Sequence, residues 1–464
     1  MKRDKLLKLL SLILISCLLL SSCSPYTSSF SFEKGTWHLG FGSKEIALPE
    51  DSDQPLYIAG YNAGSEITGV LDLQRANAVW IDTGSNGILL IGIDCVGLGK
   101  DTVDRIREKL AGFCREAGCA FVNVYATHDH AGVDTLGLWG PPAIDGKNQA
   151  FMENLINAAV SAAKDAYADR CAGTLHYGNT IPEEMLHDSR APIEYDPALH
   201  QLRFTPNDKS NNGIRLLSYA AHAESLRGSN TMLSRDFPGA LADNLLQACG
   251  DDILYLPGAI GGLIMTRELV KPFDAVTNMQ LTAKRIAESV LSISDETELS
   301  PDLSFSSVSI EMPLDNTLFF FYKFLGVLGN ETSRGKSDTG YMIHSELGVL
   351  SLGSVTLALI PGEIFPELVS GQGLSDGDPE ALKSIAARYG VERLLIVGLC
   401  NDELGYIIPP SDFLLNDELP YIESTKDSEG ENHYEETNSI GKEAAACIAK
   451  AFESALKKQK GQNS

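Results

Sequence analysis

The sequence predicts an α/β protein in which mixed β-sheets are flanked by helices. Short aliphatic and β-branched runs with few charges alternate with stretches of helical length, a pattern typical of strands covered on both faces. The 464 residues are 44% hydrophobic and 21% charged, which suits a large core and does not suggest a disordered or fibrous chain. We find no internal repeat and no clean boundary after residue 35, so we expect one large domain over residues 35–464.

The expected strands share an aliphatic, nearly uncharged composition. They span residues 78–81, 88–93, 120–125, 214–219, 253–256, 305–310, 349–352, 355–360 and 394–397. Antiparallel insertions are expected around residues 174–205 and 303–356.

The expected helices span residues 102–117, 149–168, 238–248, 279–292, 379–389 and 440–457. The first opens with Asp101 and Thr102, which suit a helix cap. Two stretches read as long loops: residues 139–147 are rich in Gly and Pro, and residues 401–438 are largely acidic and polar. Loops of this length in a compact domain are usually functional or disordered.

The N-terminus is typical of a bacterial lipoprotein signal peptide. A basic start (MKRDK) precedes an apolar run at residues 6–20, which is short for a membrane span. The run ends in LSSC, the pattern that precedes a lipidated cysteine. We therefore expect cleavage after residue 22, lipidation of Cys23 and a tether over residues 23–34, with the protein anchored in the cell envelope outside the cytoplasm. An ordinary signal peptide with a chance cysteine is the alternative.

The net charge excludes some classes of binding partner, and the cysteine content bears on whether the fold has disulfides. The net charge of −25 argues against nucleic acid and against bare anionic membrane, so the lipid, not electrostatics, would hold the protein at a surface. The nine cysteines include no CxxC pair. In a chain this long, buried free thiols are a better expectation than a disulfide framework.

Residues that bind metals follow four of the expected strands. His128 and His130 flank Asp129 after one strand, and His222, Glu363 and the segment NDELGY (401–406) follow three others. Because ligand-binding groups gather at the carboxyl ends of strands in α/β sheets, these residues are expected to meet. Two histidines and a carboxylate form a common catalytic zinc set that leaves a position open for water.

Each of these candidate metal ligands also has a simpler interpretation that involves no metal. The His-x-His pair would serve a structural or substrate-binding role, His222 would be a hydrogen-bonded core residue, and Glu363 would be an acid at the start of a helical turn. The remaining histidines do not share the strand-end placement; they are His38, His176, His187, His200, His344 and His433. The denser His-x-His-x-Asp-His motif of metallo-β-lactamases is absent, as are G-x-S-x-G, HExxH, Walker A and G-x-G-x-x-G motifs.

Four segments of the sequence form an ordered set: THDHAG (127–132), SYAAHAES (218–225), PGE (361–363) and GLCNDELGY (398–406). This set resembles the neutral/alkaline ceramidases, the non-lysosomal zinc amidases, and looser likenesses are found in YIAGY (57–61), SNTMLSRDFPGA (229–240) and YEETNSIG (434–441). Their order is the order found in that family, and the likeness runs from about residue 35 to the C-terminal helix.

This resemblance implies the catalytic-domain fold of the neutral ceramidases and hydrolysis of the amide bond of an N-acyl, ceramide-like lipid. It implies Zn²⁺ on His128, His222, Glu363 and Tyr406. It also implies a supporting role for His130 near the substrate. Tyr434 and His433 are the alternatives to Tyr406 if the loop alignment slips.

Two departures from the family leave other functions open. The family has a further immunoglobulin-like C-terminal domain, which we do not expect here. The family also has a serine followed by Gly-Asp after the strand at 253–256, where this sequence reads PGAIGG (257–262) and where Gly258 would contact substrate. The alternatives are a zinc hydrolase of another envelope amide or ester, and an inactive lipid-anchored binding protein that keeps the metal as structure.

The expected mechanism is attack by a metal-activated water. Zinc lowers the pKa of bound water and polarises the scissile carbonyl. His130 is the expected general acid/base or oxyanion partner. Asp94, at the end of a strand, would orient a ligand histidine or simply cap the strand. Asp129 and Asp402 are further supporting candidates, while Asp236 is equally well an acid at a helix start.

Overall fold

A computed structural model of the protein describes residues 26–32, 35–50, 54–142, 144–428 and 430–461. The expected signal peptide (1–22), the expected lipidation site Cys23 and part of the expected tether lie outside these residues. Within the described ranges, no helix is both long enough and apolar enough to cross a membrane.

The strands are short and mostly buried. They are β1 (Ser29–Phe32), β2 (Trp37–Glu45), β3 (Gly69–Val70), β4 (Arg75–Asp82), β5 (Gly87–Ile93), β6 (Cys119–Ala126), β7 (Cys171–Thr180), β8 (Leu186–Asp188), β9 (Leu199–Pro206), β10 (Ile214–Tyr219), β11 (Met232–Leu233), β12 (Asp252–Pro257), β13 (Ile264–Thr266), β14 (Thr297–Leu299), β15 (Leu303–Pro313), β16 (Glu331–Arg334), β17 (Tyr341–Leu352), β18 (Val355–Leu359), β19 (Glu363–Ile364), β20 (Arg393–Val397), β21 (Tyr406–Ile407), β22 (Thr425–Lys426) and β23 (Asn432–His433).

The helices alternate with these strands. They are α1 (Lys100–Ala117), α2 (Gln149–Ala168), α3 (Asp236–Cys249), α4 (Ala275–Leu291), α5 (Thr317–Phe324), α6 (Pro366–Ser370), α7 (Leu382–Arg388) and α8 (Ala444–Gln459). Short 3-10 turns span Pro410–Asp412 and Glu435–Asn438.

Two mixed sheets form the centre of the molecule. The larger has nine strands in the order β12-β10-β9-β7-β2-β4-β5-β6, with β14 beside β7, and the smaller has the order β1-β15-β17-β18-β20, with β16 beside β17. Their inner faces share one buried cluster, to which Trp37 and Leu216 contribute from one sheet and Phe305 and Leu357 from the other. The two sheets therefore pack face to face.

Helices cover the outer face of each sheet. α1 and α2 pack on β2, β4, β5 and β6, α3 and α4 pack near β12, and α8 packs on β15 and β17. Along β10, Leu216 faces the core between the sheets, whereas Leu217 and Tyr219 face the helices. Strands buried on both faces in this way read as apolar runs, which is why their sequences predicted them. The result is a four-layer α/β/β/α arrangement.

The carboxyl ends of the parallel strand pairs meet at one edge. β5 pairs with β6, β10 with β12 and β18 with β20, each in parallel. The two sheets are joined at this edge, because Tyr125 forms an antiparallel bridge with Cys400. The Gly398 amide also donates to the Pro257 carbonyl at 3.0 Å. Residues that follow strands of both sheets are thus brought to one place.

The α/β class and the mixed sheets are confirmed, and each expected strand and helix overlaps an observed one, most of them within a few residues of the expected bounds. The strand expected at 349–352 is longer, because β17 begins at Tyr341. Two further segments differ. Ser29–Phe32, expected to be tether, pairs with β15, and Phe30 packs on Phe305 with ring centroids 5.8 Å apart. The last helix begins at Ala444 and not at residue 440, because the Ile440 carbonyl accepts hydrogen bonds from the amides of Asp315 and Asn316.

The thiols and the long acidic loop also have defined places. The seven cysteines among the described residues are free; Cys95, Cys114, Cys119 and Cys400 are buried, but Cys249 is exposed. The described residues of the loop at 401–438 carry β21, β22, β23 and two 3-10 turns, and several of them line the site described next.

Candidate metal centre

Three histidines and a glutamate converge where the two sheets join. His128 and His130 follow β6, His222 follows β10, and Glu363 lies in β19 after β18. Glu363 Oε2 is 3.2 Å from His128 Nε2 and 3.1 Å from His222 Nε2. His130 Nε2 is 3.1 Å from His128 Nε2. One nitrogen from each of the three histidines lies within 4.8 Å of the others.

The backbone around His128 directs the cluster inward. His128 has φ +63°, a left-handed conformation that is uncommon in a non-glycine residue and that concentrates at functional sites. The next two residues are fixed to neighbouring segments, since the Asp129 amide donates to Cys95 and the His130 amide donates to Ala223. The turn thereby places the rings of His128 and His130 edge to face, with centroids 4.6 Å apart.

Backbone carbonyls fix the tautomers of two of these rings. His128 Nδ1 lies 2.7 Å from the Val96 carbonyl oxygen, and His222 Nδ1 lies 2.8 Å from the Ile264 carbonyl oxygen. A carbonyl only accepts, so each Nδ1 carries a proton, and in the neutral ring each Nε2 presents a lone pair. These lone pairs face a carboxylate oxygen of Glu363. Lone pairs on nitrogen and oxygen repel one another at this distance unless a cation or added protons lie between them.

The spacing of these atoms suits a metal of the size of zinc. Ligands held at about 2.05 Å in a tetrahedron are about 3.3 Å from one another. The distances of 3.1 and 3.2 Å between Glu363 Oε2 and the two imidazole nitrogens are close to that edge length. His130 Nε2 also lies 3.1 Å from His128 Nε2, so this distance is compatible both with His130 as a metal ligand and with His130 facing the substrate.

Burial and charge shape the protonation of the cluster. Burial opposes ionisation of Glu363, but the His128 and His222 imidazoles overcome it and lower the pKa of Glu363 well below its ordinary value. Burial alone would lower the pKa of His222, yet the hydrogen bond with Glu363 raises it to about 8. Burial and the neighbouring His128 and His222 lower the pKa of His130 well below its ordinary range, so this imidazole is neutral.

Tyr406 stands beside Glu363 on the cavity wall. β21 pairs with β19 in parallel, with Tyr406 opposite Glu363 in the register. Burial, and then the charge of Glu363, raise the pKa of Tyr406 well above its ordinary value. Tyr434 lies next to Tyr406, with ring centroids 6.4 Å apart, and lines the same cavity. His433 points elsewhere, since its Nδ1 lies 2.9 Å from Glu436 Oε1 and from Arg190 Nη2.

A cavity of about 600 Å³ opens onto this cluster. Its walls carry apolar side chains from several loops, from β13 and β17 and from α5, and these are Val96, Leu136, Leu138, Trp139, Leu263, Met265, Leu314, Phe319, Leu328, Ile343 and Ile440. The expected loop at 139–147 is therefore part of the wall through Trp139. A large concave apolar surface with a few converging polar groups is the usual form of a small-molecule site.

Two of the expected site residues lie apart from this cavity. The Asp94 carboxylate accepts a hydrogen bond from the Arg75 amide at 3.0 Å and lines a separate cavity of about 100 Å³ with Arg235. The orienting contact that we expected from Asp94 is made instead by the Val96 and Ile264 carbonyls. Gly258 lines a third cavity and packs against Ala220, because a Cβ at Gly258 would lie 3.0 Å from the Ala220 Cα.

The other carboxylates proposed as supporting residues have structural partners. Asp129 Oδ1 accepts from the Ala131 amide, and Asp402 Oδ1 accepts from the amide of Lys100, at the start of α1. Asp236 begins α3 and accepts from the Ser225 and Leu226 amides, so it also ties down the loop after His222.

Sequence reasoning missed several polar side chains on the cavity wall, among them Tyr61, Glu224, Arg227 and Glu403. Glu224 faces His130, Tyr61 donates a hydrogen bond to Glu224, and Arg227 donates to the Glu224 carbonyl at 3.1 Å. Glu403 accepts from the Gly405 amide, and burial followed by the charge of Glu363 raises the pKa of Glu403 well above its ordinary value. Tyr61, Glu224 and Glu403 all lie in the segments that carried the family resemblance, which was the signal available to find them.

Comparison with known proteins defines the fold. No family model matches the sequence, and no curated protein is significantly similar to it. Among solved structures, the neutral ceramidase from Pseudomonas aeruginosa superposes with a TM-score of 0.72 at 14% identity, covering 93% of this chain and 76% of that one. A ceramidase complexed with C2 gives a TM-score of 0.67 at 13% identity, covering 91% of this chain and 75% of that one. The chain therefore has the fold of the neutral ceramidases, as the resemblance implied.

Proposed function

We propose that this protein is a zinc-dependent hydrolase that cleaves the amide bond of an N-acyl, ceramide-like lipid. The observation that carries the proposal is the convergence of His128, His222 and Glu363 at the base of an apolar cavity. The neutral ceramidase fold supports the same substrate class.

In this proposal, His128, His222, Glu363 and Tyr406 hold the zinc, while His130 faces the substrate. The donor set fits, because two imidazole lone pairs and one carboxylate oxygen already face one another at 3.1 to 3.2 Å. A bound zinc ion would supply Lewis-acid chemistry, polarising a carbonyl and acidifying water.

The chain's own residues provide the remaining functions. His130 is a buried neutral imidazole, so its Nε2 can accept a proton from water and return it to the leaving nitrogen. The apolar wall accommodates an acyl chain and excludes water from the amide.

Helix α5 adds support for a lipid substrate. Phe319 and Lys323 of α5 line the cavity, whereas Phe321 and Phe324 are exposed, Phe324 to 79%. Large exposed apolar side chains at the rim of a cavity are typical of sites that take apolar ligands.

Hydrolysis of another envelope amide or ester is the second candidate, and the segment at 257–262 favours it. Gly258 lies outside the cavity, and a Cβ at Gly261 would lie 2.8 Å from the Glu363 carbonyl oxygen, so neither position offers a side chain to substrate. The polar contacts to the substrate must therefore come from other residues on the cavity wall, such as Arg227 and Glu403.

Metal analysis and a substrate panel test the proposal. The chain from Ser24 onward, purified without chelator, is expected to hold one zinc and to hydrolyse N-acyl sphingoid lipids, whereas His128→Ala should lose both properties. His187→Ala, in the exposed part of β8, serves as the matched control. A protein that binds no zinc contradicts the proposal. Zinc without hydrolysis of any amide would indicate a binding protein, and cleavage of short amides alone would favour the second candidate.

We also propose that the protein is anchored to a bacterial envelope membrane by lipid on Cys23, facing outside the cytoplasm. The LSSC motif at residues 20–23 motivates this. Mass spectrometry of the membrane fraction should show an acylated N-terminal cysteine. Cys23→Ser should abolish acylation and release the protein from membranes, whereas Cys17→Ser should not. An unmodified, membrane-free wild type would overturn the proposal.

A further inference from the structure

The Nδ1 atom of His130 is buried close to the Glu224 carboxylate and the Tyr61 ring. His130 Nδ1 has no hydrogen-bond partner among the described residues. Glu224 Oε2 faces it at 3.7 Å, slightly beyond hydrogen-bond range. Glu224 is 6% exposed, so its carboxylate is also largely withdrawn from water. A buried donor and a buried acceptor this close need only a small ring rotation to pair.

The same oxygen of Glu224 is held from the opposite side by a tyrosine. The Tyr61 hydroxyl donates a hydrogen bond to Glu224 Oε2. The Tyr61 ring also packs edge-on against the His130 ring, with centroids 5.3 Å apart and planes at 75°. Tyr61 thus contacts both members of the pair, through its hydroxyl and through its ring.

Glycine backbone fixes the remaining side of the His130 ring. A Cβ at Gly60 would lie 2.5 Å from His130 Nδ1, and Gly60 has φ +99°. A Cβ at Gly228 would lie 2.8 Å from the Tyr61 ring. The backbone therefore closes over Nδ1, which leaves Glu224 as the carboxylate that can reach it.

We propose that Glu224, anchored by Tyr61, is a positioning residue that holds the His130 ring with Nδ1 protonated and Nε2 directed at the metal cluster. The inference rests on the proposed function, in which His130 acts at the substrate. A carboxylate beside one nitrogen of an imidazole fixes both the tautomer and the orientation of the ring, and removing such a partner typically costs about 10- to 100-fold in activity or metal affinity.

Substitutions at Glu224 and Tyr61 separate positioning from a structural role. Glu224→Met keeps the side-chain length but removes the acceptor, whereas Glu224→Gln retains an acceptor oxygen. In the zinc-loaded full chain, with N-hexanoyl-sphingosine as substrate, Glu224→Met is expected to lower kcat by about 10- to 100-fold with KM within about twofold. Glu224→Gln should restore part of the loss, and Tyr61→Phe should fall between wild type and Glu224→Met. Zinc stoichiometry and Tm should stay at wild-type values.

A second readout does not depend on activity. In protein labelled with ¹⁵N-histidine, the ring signals of His130, assigned by comparison with His130→Gln, should report a single Nδ1–H tautomer in wild type and a mixture in Glu224→Met. Glu183→Gln and Tyr167→Phe, at an exposed loop and on the outer face of α2, are the matched controls and should change nothing.

The outcomes distinguish this inference from the proposed function. Wild-type kcat together with an unchanged His130 tautomer in Glu224→Met would overturn the inference and leave the hydrolase proposal intact. A tautomer change in a protein that hydrolyses no N-acyl lipid would support the inference and contradict the proposed substrate.

Discussion

His222 Nε2 and Glu363 Oε2 lie 3.1 Å apart, although 141 positions separate them in the chain. His222 belongs to the end of a strand in the larger sheet, and Glu363 follows a strand of the smaller sheet. The contact therefore crosses the junction between the two sheets. A change in the charge of this pair should therefore affect the docking of the sheets and, under the proposed function, metal binding.

Glu363→Gln should abolish tight zinc binding. The substitution keeps the shape of the side chain but removes the anionic oxygen that faces His128 and His222. Loss of a charged ligand from a three- or four-ligand site should weaken zinc affinity by at least about 100-fold. Equilibrium dialysis with elemental analysis measures this, with the exposed Glu183→Gln as the control. Zinc affinity equal to that of wild type would show that Glu363 is not a ligand.

Gly60→Ala should impair His130 specifically. A methyl group at this position meets the His130 ring at 2.5 Å, and the backbone there has φ +99°. Gly64→Ala is a matched control, since Gly64 has φ +77° and nothing within 4 Å of an added Cβ. Both variants should lose about 1–3 kcal/mol of stability from backbone strain. Only Gly60→Ala should lower kcat, and equal activity in the two variants would rule out the contact as functional.

Arg190→Met should destabilise the loop that closes the site. The Arg190 guanidinium pairs with Asp412 at 2.8 Å, Glu435 at 2.7 Å and Glu436 at 3.0 Å, and it is 4% exposed. Removal of this cation leaves buried carboxylates uncompensated, at a cost of about 3–5 kcal/mol.

Urea denaturation measures the effect of Arg190→Met, and the half-exposed Arg388→Met is the control that should change stability little. Since Tyr434 adjoins Glu435, the Arg190 variant should also raise KM. A small stability change in Arg190→Met would mean that the carboxylates take up protons or solvent instead.

Glu367→Gln should flatten the dependence of stability on pH. Burial, followed by the nearby charges of Asp188 and Asp412, raises the pKa of Glu367 from 4.5 to about 8 in the folded chain. Below pH 4.5 both folded and unfolded chains keep this proton, so the group has no effect. As pH rises from 4.5 to 8 the unfolded chain ionises first, and folding loses roughly 2–4 kcal/mol from this group.

The difference in unfolding free energy between Glu367→Gln and wild type should therefore be near zero at pH 4.5 and should favour the variant at pH 8. Chemical denaturation at a series of pH values measures it, and Glu392→Gln at an exposed position supplies the baseline. A constant difference across this range would show that Glu367 is ionised throughout.

The strands and helices were predictable because local patterns determine them. Residues 214–219 and 149–168 have the bounds that the sequence predicts, since strands buried on two faces and long helices leave strong periodic signals. The start of the last helix was not predictable. Its position depends on contacts of Ile440 with Asp315 and Asn316, more than 100 residues away, which no local pattern encodes.

The candidate site was predictable only in part. Strand-end placement brought His128, His222 and Glu363 into one hypothesis, and the structure places them in contact. Strand-end placement did not reveal that backbone carbonyls orient the rings, because every residue has a backbone carbonyl and the sequence does not distinguish one from another. Asp94 has the composition and position of an orienting acid but faces Arg75, since side-chain direction at a strand end depends on the pleat and on the packing around it.

The bridge between Tyr125 and Cys400 carries a consequence for how the molecule folds. It joins the two sheets across nearly 300 positions of sequence, and contacts of such separation form late and slowly. No local hairpin or helix contains two of the three sites His128, His222 and Glu363. Under the proposed function, capture of the metal has to follow long-range assembly, and a growing chain would become able to hold zinc only when its second sheet has been synthesised. Slow zinc uptake on refolding, in step with the final loss of exposed apolar surface, would be the kinetic signature of this order.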